Sequence, residues 1–293
     1  MAQTQSQQAA VLQGQKTRQR SGRRVKGLWL YVLAVPLLVV MAFPYLFLIL
    51  QSFASWDQVN RTFLPTSFTL RSYQWIFNGG GYLAQPWLQA LLNSILVTAV
   101  DSICMVALGA IVGYALSVME FRGKKLINNF ILFQMFYPGI ILLVPTFLII
   151  RYSGFYNTYW AMIIPKMMSL WAVFMYTGFF RSVSPEVIEA ARLDGASELQ
   201  IVFRIMMPMA RSITTIIFLF VSMERWTDLM WDLIVVKDAS RQTLNVLLST
   251  MFGPYGTYQG PLYAAGVILT LPVLLLFIAF SRNFVKGVQL VLR

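Results

Sequence analysis

A chain of 293 residues in which 58% are hydrophobic and 12% charged, with a mean hydropathy of +0.65, is too apolar for a water-soluble fold, where about a quarter of residues carry charge. The formal net charge of +12 would point to nucleic acid if the Lys and Arg formed one accessible patch, but here they sit between apolar runs. With no histidine and Cys104 as the single cysteine, the usual zinc sites, a His-based catalytic relay and an intramolecular disulfide are excluded, and the expectation is a non-enzyme.

In chain order, residues 1–27 are rich in Gln, Ser, Thr and Ala, lack apolar periodicity and read as a disordered basic N-terminal tail. Residues 28–293 form the membrane domain. Apolar stretches follow at 28–51, 87–118, 127–150, 159–180, 212–231 and 262–281, each near the roughly 20 residues that cross hydrocarbon as helix. A backbone in lipid has no water to bond, so each stretch must be helical. The expected fold is an all-α integral membrane protein with about six transmembrane helices, the fifth crowded at its end by Glu224, Arg225 and Asp228.

Placing the N-terminus in the cytoplasm puts Lys16, Arg18, Arg20, Arg23, Arg24, Lys26, Arg122, Lys124 and Lys125 inside, with Arg181, Arg192, Arg204, Arg211, Arg282, Lys286 and Arg293. Only Arg61, Arg71, Arg151, Arg225, Lys237 and Arg241 then fall in outer segments. This is the positive-inside pattern, and it assigns both termini to the cytoplasm. Pro138-Gly139, Pro145, Pro165 and Pro272 interrupt the helices, which neighbouring helices or a cavity can accommodate. Asp101 and Lys166 lie within apolar runs and should point inward, because a mid-membrane charge costs about 3 kcal/mol unless it meets a partner or water. A structural pair, snorkelling of Lys166 and a place on a solute pathway all satisfy that requirement.

The sharpest spacing lies in the inner segment 181–211. Ser184 suits an N-cap, Pro185 the first helical position, and Glu186 and Glu189 the positive end of the helix dipole. Gly195 supplies a left-handed corner, Ser197 with Gln200 a capping box opening a second helix, and Pro208 its close. A membrane-surface connector would favour Lys and Arg, whereas this polar face holds Glu186, Glu189, Asp194 and Glu198 beside the small residues Ala190 and Ala191. The element therefore reads as a knob for docking into another protein.

Glu189-Ala190-Ala191, then Asp194-Gly195-Ala196, Ile205 and Pro208 resemble the EAA loop of ATP-binding-cassette importer permeases, in which this loop is the coupling helix that fits the ATPase subunit. Leu64-Pro65-Thr66, Phe68-Thr69-Leu70 and Tyr73, Asn93-Ser94, then Trp226, Asp228 and Trp231, and finally Gly266, Pro272, Phe277, Arg282, Phe284, Val285 and Gly287 are similar to the maltose-importer type of carbohydrate permease. The resemblance spans about residues 28–293. The chain departs from it at Thr227, where relatives often carry Asn, and at Ser281, where many carry Gln. Lacking a long outer insertion, it looks like the shorter of two paired permeases.

The resemblance implies ATP-driven alternating access that brings a carbohydrate across the bacterial inner membrane. The implied partners are a second homologous permease, two ATPase subunits, an external solute-binding protein and lipid, with no nucleic acid. No P-loop sequence is present, so ATP and Mg would sit on the partner ATPase subunits and no cofactor on this chain. It assigns ATPase docking to Glu186, Glu189, Ala190, Ala191, Asp194, Gly195, Ala196, Ser197, Ile205 and Pro208. Gly253, Pro254, Tyr255, Gly256 and Tyr258 become contacts for the binding protein, although turn chemistry explains them equally. Asp101, Lys166, Trp226 and Asp228 are the pathway candidates. Similar permeases serve acidic glycans such as alginate as well as neutral ones, and no residue read here separates the two. Two other classes stay open: an ion-coupled secondary transporter using Asp101 and Lys166, and a non-transporting membrane scaffold.

Overall fold

The computed structural model describes residues 29–78, 86–251 and 259–291, with side chains to residue 280. The expected N-terminal tail, the cytoplasmic placement of that terminus and the loop contacts Gly253 to Tyr258 lie outside the described residues. Helix α1 (Trp29–Ser52) is apolar and exposed along its span, as a lipid-facing or partner-facing helix must be. Its end is turned by polar groups: Gln51 Nε2 donates to the Thr62 carbonyl at 2.8 Å and Gln51 Oε1 accepts from Asn60 N–H at 2.9 Å. The short helix α2 (Arg71–Phe77) follows.

Helix α3 (Trp87–Ser117) is the mast of the bundle. After α4 (Lys124–Met135) the chain breaks at Pro138, where the residue before a proline is pushed out of the helical region, and turns by 101° into Gly139–Tyr152, which ends as α5 (Leu143–Tyr152). The expected fourth span also divides, into α6 (Tyr159–Ile163) and α7 (Leu170–Phe180), around Pro165 and Lys166. Then come α8 (Pro185–Leu193), α9 (Glu198–Ile201), a π-helical turn (Val202–Met206), α10 (Met207–Met209), α11 (Arg211–Thr227), α12 (Met230–Val235), α13 (Leu244–Met251) and α14 (Gln259–Val291).

Among the described residues, three helices are long and apolar enough to cross unbroken: Trp29–Ser52, Trp87–Ser117 and Gln259–Phe280. Two bent pairs and the 11-residue α7 supply the remaining apolar helix. The all-α membrane fold read from sequence holds, and among the described residues its expected spans divide into three unbroken helices and several interrupted ones. Hydropathy counts apolar residues, and proline and buried charge decide where the helices break.

The mast packs on α7 and α11 through a shared core that includes Met105, Tyr114, Ala172, Tyr176 and Ile217. Close approach depends on Gly109 and Gly113, four residues apart on one face. A Cβ built on Gly109 would meet Ala172 Cβ at 2.9 Å, and one on Gly113 would meet Tyr176 Cβ at 2.6 Å. Small residues at this spacing let membrane helices reach van der Waals contact where no hydrophobic drive exists between them.

Candidate functional site

Two charged regions could carry function. The first is the corner between α8 and α9. Pro185 occupies the start of α8 with Glu186 in its first turn, and Ser184 is the extended N-cap residue without a side-chain capping bond. Gly195 has φ +80°, a conformation that costs an L-residue about 1–2 kcal/mol. Ser197 and Gln200 form the reciprocal capping box that opens α9. Glu186, Glu189, Ala190, Asp194, Gly195, Ser197 and Pro208 are exposed, and Ala196 and Ile205 half-buried.

Two sequence readings change. Ala191 packs into the core with 6% of its surface exposed, beside Ile188 and Ile201, so it anchors the corner from within while Ala190 beside it faces outward. Pro208 does not close the second helix, which runs on to Met209 before the chain bends by 92° into α11. The missing N–H of Pro208 is accommodated by the π-turn, in which Met207 N–H bonds the Val202 carbonyl. Leu193, which the sequence reading passed over, projects from the corner with 90% of its surface exposed.

The corner is braced internally. Arg192 Nε donates to Glu198 Oε1 at 2.9 Å and its Nη2 to Oε2 at 3.2 Å, while Tyr114 Oη on the mast donates to Oε2 at 2.5 Å. The hydrogen bonds from Arg192, then from Tyr114, hold the Glu198 carboxyl below the usual range, and Glu198 in turn raises Arg192. At neutral pH the brace is an ion pair reinforced by a phenol.

The second region is a buried joint near the far end of α11. Arg225, read from sequence as an outer-segment cation, is instead enclosed, its side chain 1% exposed. Its Nε donates to Asp101 Oδ2 at 2.5 Å, and Nη1 and Nη2 donate to Asp232 at 3.2 and 2.9 Å. Thr243 Oγ1 donates to Asp232 at 3.3 Å. Lys166 pairs with Asp228 at 2.8 Å, and Asp228 lies 3.8 Å from Arg225. Asp101 and Lys166 therefore do face partners, which fulfils the requirement placed on mid-membrane charges. Asp101 Oδ1 alone has no hydrogen-bond partner among the described residues.

Trp226 belongs to the packing beside this joint. Its Nε1 donates to the Leu269 carbonyl on α14 at 3.0 Å, and its own carbonyl accepts from Asn245 at 2.7 Å. Arg225 closes α11, Asp228 is the extended residue after it and Asp232 lies in α12, so the break between the two helices, not one continuous helical face, brings these charges together. On the other side of α11, an open depression of about 420 Å³ is lined by Trp171, Phe220, Met223, Glu224 and Thr227. The Trp171 and Phe220 ring centroids stand 5.3 Å apart, and the Glu224 side chain is exposed.

Among the described residues no group of His, Cys, Asp and Glu could hold a metal ion. Neither region brings together a nucleophile and base. The corner can dock, the joint can clamp helices, and the depression can meet a solute.

Residues 105–290 match the family described as the binding-protein-dependent transport system inner membrane component. The Escherichia coli inner membrane ABC transporter permease protein YcjP is 34% identical over 255 residues, 85% of this chain and 90% of that protein. The arabinooligosaccharides transport system permease protein AraQ of Halalkalibacterium halodurans is 31% identical over 265 residues, 88% and 94% of the two chains. In fold, the chain is similar to one from the crystal structure of a bacterial ABC transporter that imports the acidic polysaccharide alginate, with a TM-score of 0.78 at 21% identity over 89% of this chain and 97% of that one. A multi-pass helical chain with the acidic corner inside the matched segment, it belongs to the binding-protein-dependent transport system inner membrane component family.

Proposed function

We propose that the chain moves an oligosaccharide into the cytoplasm as one of two permeases in an importer driven by separate ATPase subunits. The observation that carries this reading is the α8–α9 corner, where Glu186, Glu189, Asp194 and Leu193 are presented to solvent on a frame fixed by Gly195. As a permease subunit the chain is a transport component, not an enzyme. ATP and Mg belong on the ATPases, an external binding protein delivers the sugar, and the carbohydrate assignment draws on the arabinooligosaccharide permease that the chain resembles.

In this mechanism ATP-driven closure of the ATPases pushes on the corner. The bundle then rocks between inward-facing and outward-facing states as a bistable rigid body. Both termini lie in the cytoplasm on the positive-inside argument. The depression at Trp171 borders the solute path, because a carboxylate such as Glu224 within a membrane helix faces a cavity or a partner chain and not lipid. Asp101, Lys166 and Asp228 engage one another through Arg225, so they hold the wall of the path while Trp226 packs behind it. An ion-coupled transporter would need Asp101 and Lys166 to exchange an ion, whereas each is engaged in an ion pair, with Arg225 and Asp228 respectively.

Co-expression with the neighbouring genes and purification through a tag on this chain tests the reading. An ATPase and a second permease should co-purify, and the complex in liposomes should hydrolyse ATP while taking up sugar from the binding protein. A functional homo-oligomer isolated without an ATPase would overturn it.

A further inference from the structure

If the corner receives a push from an ATPase, that push must reach the transmembrane helices, and two routes leave the corner. One follows the backbone through α9 into α11. It passes the π-turn Val202–Met206 and Pro208, then bends by 92°. A π-turn and a proline both weaken the regular hydrogen-bond ladder, and a right-angled bend carries little force along the next axis. The covalent route is the compliant one.

The other route crosses space. Glu198 receives Arg192 from the last turn of α8 and Tyr114 from the mast α3. The 2.5 Å Tyr114–Glu198 contact is an O–H···O⁻ bond, among the shorter and stronger classes. The phenol is 2% exposed and packs in the same cluster as Tyr176, Ile201 and Met206, so it cannot swing to follow a moving acceptor. Ile188, Ala191 and Ile201 also hold the corner to the bundle, but apolar contact is non-directional. The hydrogen bond sets which way the mast is pulled.

We infer that Glu198 and Tyr114 are positioning residues for transport, a latch that passes motion of the docking corner to α3. The inference rests on the corner being the ATPase contact. Glu198 lies on the acidic face read from sequence, but its carboxylate is turned onto Arg192 and Tyr114 and is not offered outward with Glu186, Glu189 and Asp194, and Tyr114 is enclosed by its own bundle.

Cys104 gives a native reporter. It is the single cysteine of the chain, half-buried on α3, and ten residues or about 15 Å along the helix from Tyr114. The test is the rate of Cys104 modification by N-ethylmaleimide in the assembled complex, its other chains freed of cysteine, without nucleotide and after trapping with ATP and vanadate. Basal ATP hydrolysis and the amount of co-purified ATPase are measured alongside.

The latch predicts a rate change of fivefold or more in the native chain, falling below twofold in Tyr114→Phe and Glu198→Ala, with hydrolysis and assembly held within twofold. Glu198→Gln keeps an amide oxygen to accept from the phenol and should respond at an intermediate level. The double variant should lose no more than either single one, because the two side chains act as one interaction. Should Tyr114→Phe fail to assemble, Glu198→Ala at its partly exposed position carries the test. An undiminished response in both single variants, no response in the native chain, or losses that add would overturn the latch. Absence of the ATPase from the native complex would overturn the docking reading instead, so the two failures are distinct.

Discussion

The docking corner and the buried joint use the same residue types for opposite ends. At the corner Glu186, Glu189 and Asp194 face solvent, and the one strong internal pair, Arg192–Glu198, sits behind them. At the joint Asp101 and Asp232 enclose Arg225 with almost nothing exposed, and Asp228 beside them pairs with the partly exposed Lys166. On the proposed reading, charge that the chain does not satisfy by itself is offered to another protein. Charge paired within the chain holds its own helices together, joining the middle of α3 to the end of α11 and to α12.

That contrast ranks the effects of substitution. Arg225→Met should be the most damaging change. It strands two carboxylates in a dry site, and removing one partner of a buried pair costs about 3–5 kcal/mol. Little folded protein should be extractable from membranes, while Arg225→Lys, which loses the bidentate fork, should fall between. Normal yield and thermal stability for Arg225→Met would show that the joint is not structural.

Gly113→Ala should follow at about 1–3 kcal/mol, the usual penalty of overpacking, since its Cβ has only 2.6 Å to Tyr176 Cβ. A melting scan in detergent reads this. Gly195→Val strains the corner by about 1–2 kcal/mol, while a Cβ at that position meets nothing within 4 Å. It should leave insertion intact and abolish uptake, and undiminished uptake would count against the docking role.

How much of this was legible in the sequence follows from what each feature depends on. The corner is local: Pro185, Gly195, Ser197 and Gln200 dictate their own backbone, and the structure differs only at Ala191 and at Pro208. The joint depends on contacts between residues more than a hundred positions apart, such as Asp101 with Arg225, and the positive-inside count placed Arg225 with the outer-loop cations because charge alone carries no depth. Helix breaks at Pro138 and around Pro165 and Lys166 are marked by their residues, whereas the 101° angle of the first break depends on packing that hydropathy does not report. The Gly109–Gly113 face lies in a run that is apolar all round, where periodicity does not single out the contact side.

Smaller effects refine the comparison. Lys166→Met removes a partly exposed pair, 38% and 17% by side chain, and should cost no more than about 1 kcal/mol, the scale of exposed ion pairs. The corner's brace should titrate. With its carboxyl held below the usual value by Arg192 and Tyr114, Glu198 adds stability that is fully present above the unfolded glutamate pKa of about 4.3 and is lost as pH falls through the lower folded value. Amide exchange in α9 should stay slow down to the ordinary carboxylate range and quicken below it, whereas Glu198→Gln should show no such step.

The central claim, that the exposed corner is the ATPase contact, is tested most directly by cross-linking. Leu193→Cys in a Cys104→Ser background should form a disulfide or short-linker adduct with the ATPase subunit of the assembled complex. It should also react with a membrane-impermeant maleimide only from the cytoplasmic side. Labelling of Leu193→Cys from outside intact cells, or free labelling in the assembled complex with no adduct, would contradict the account.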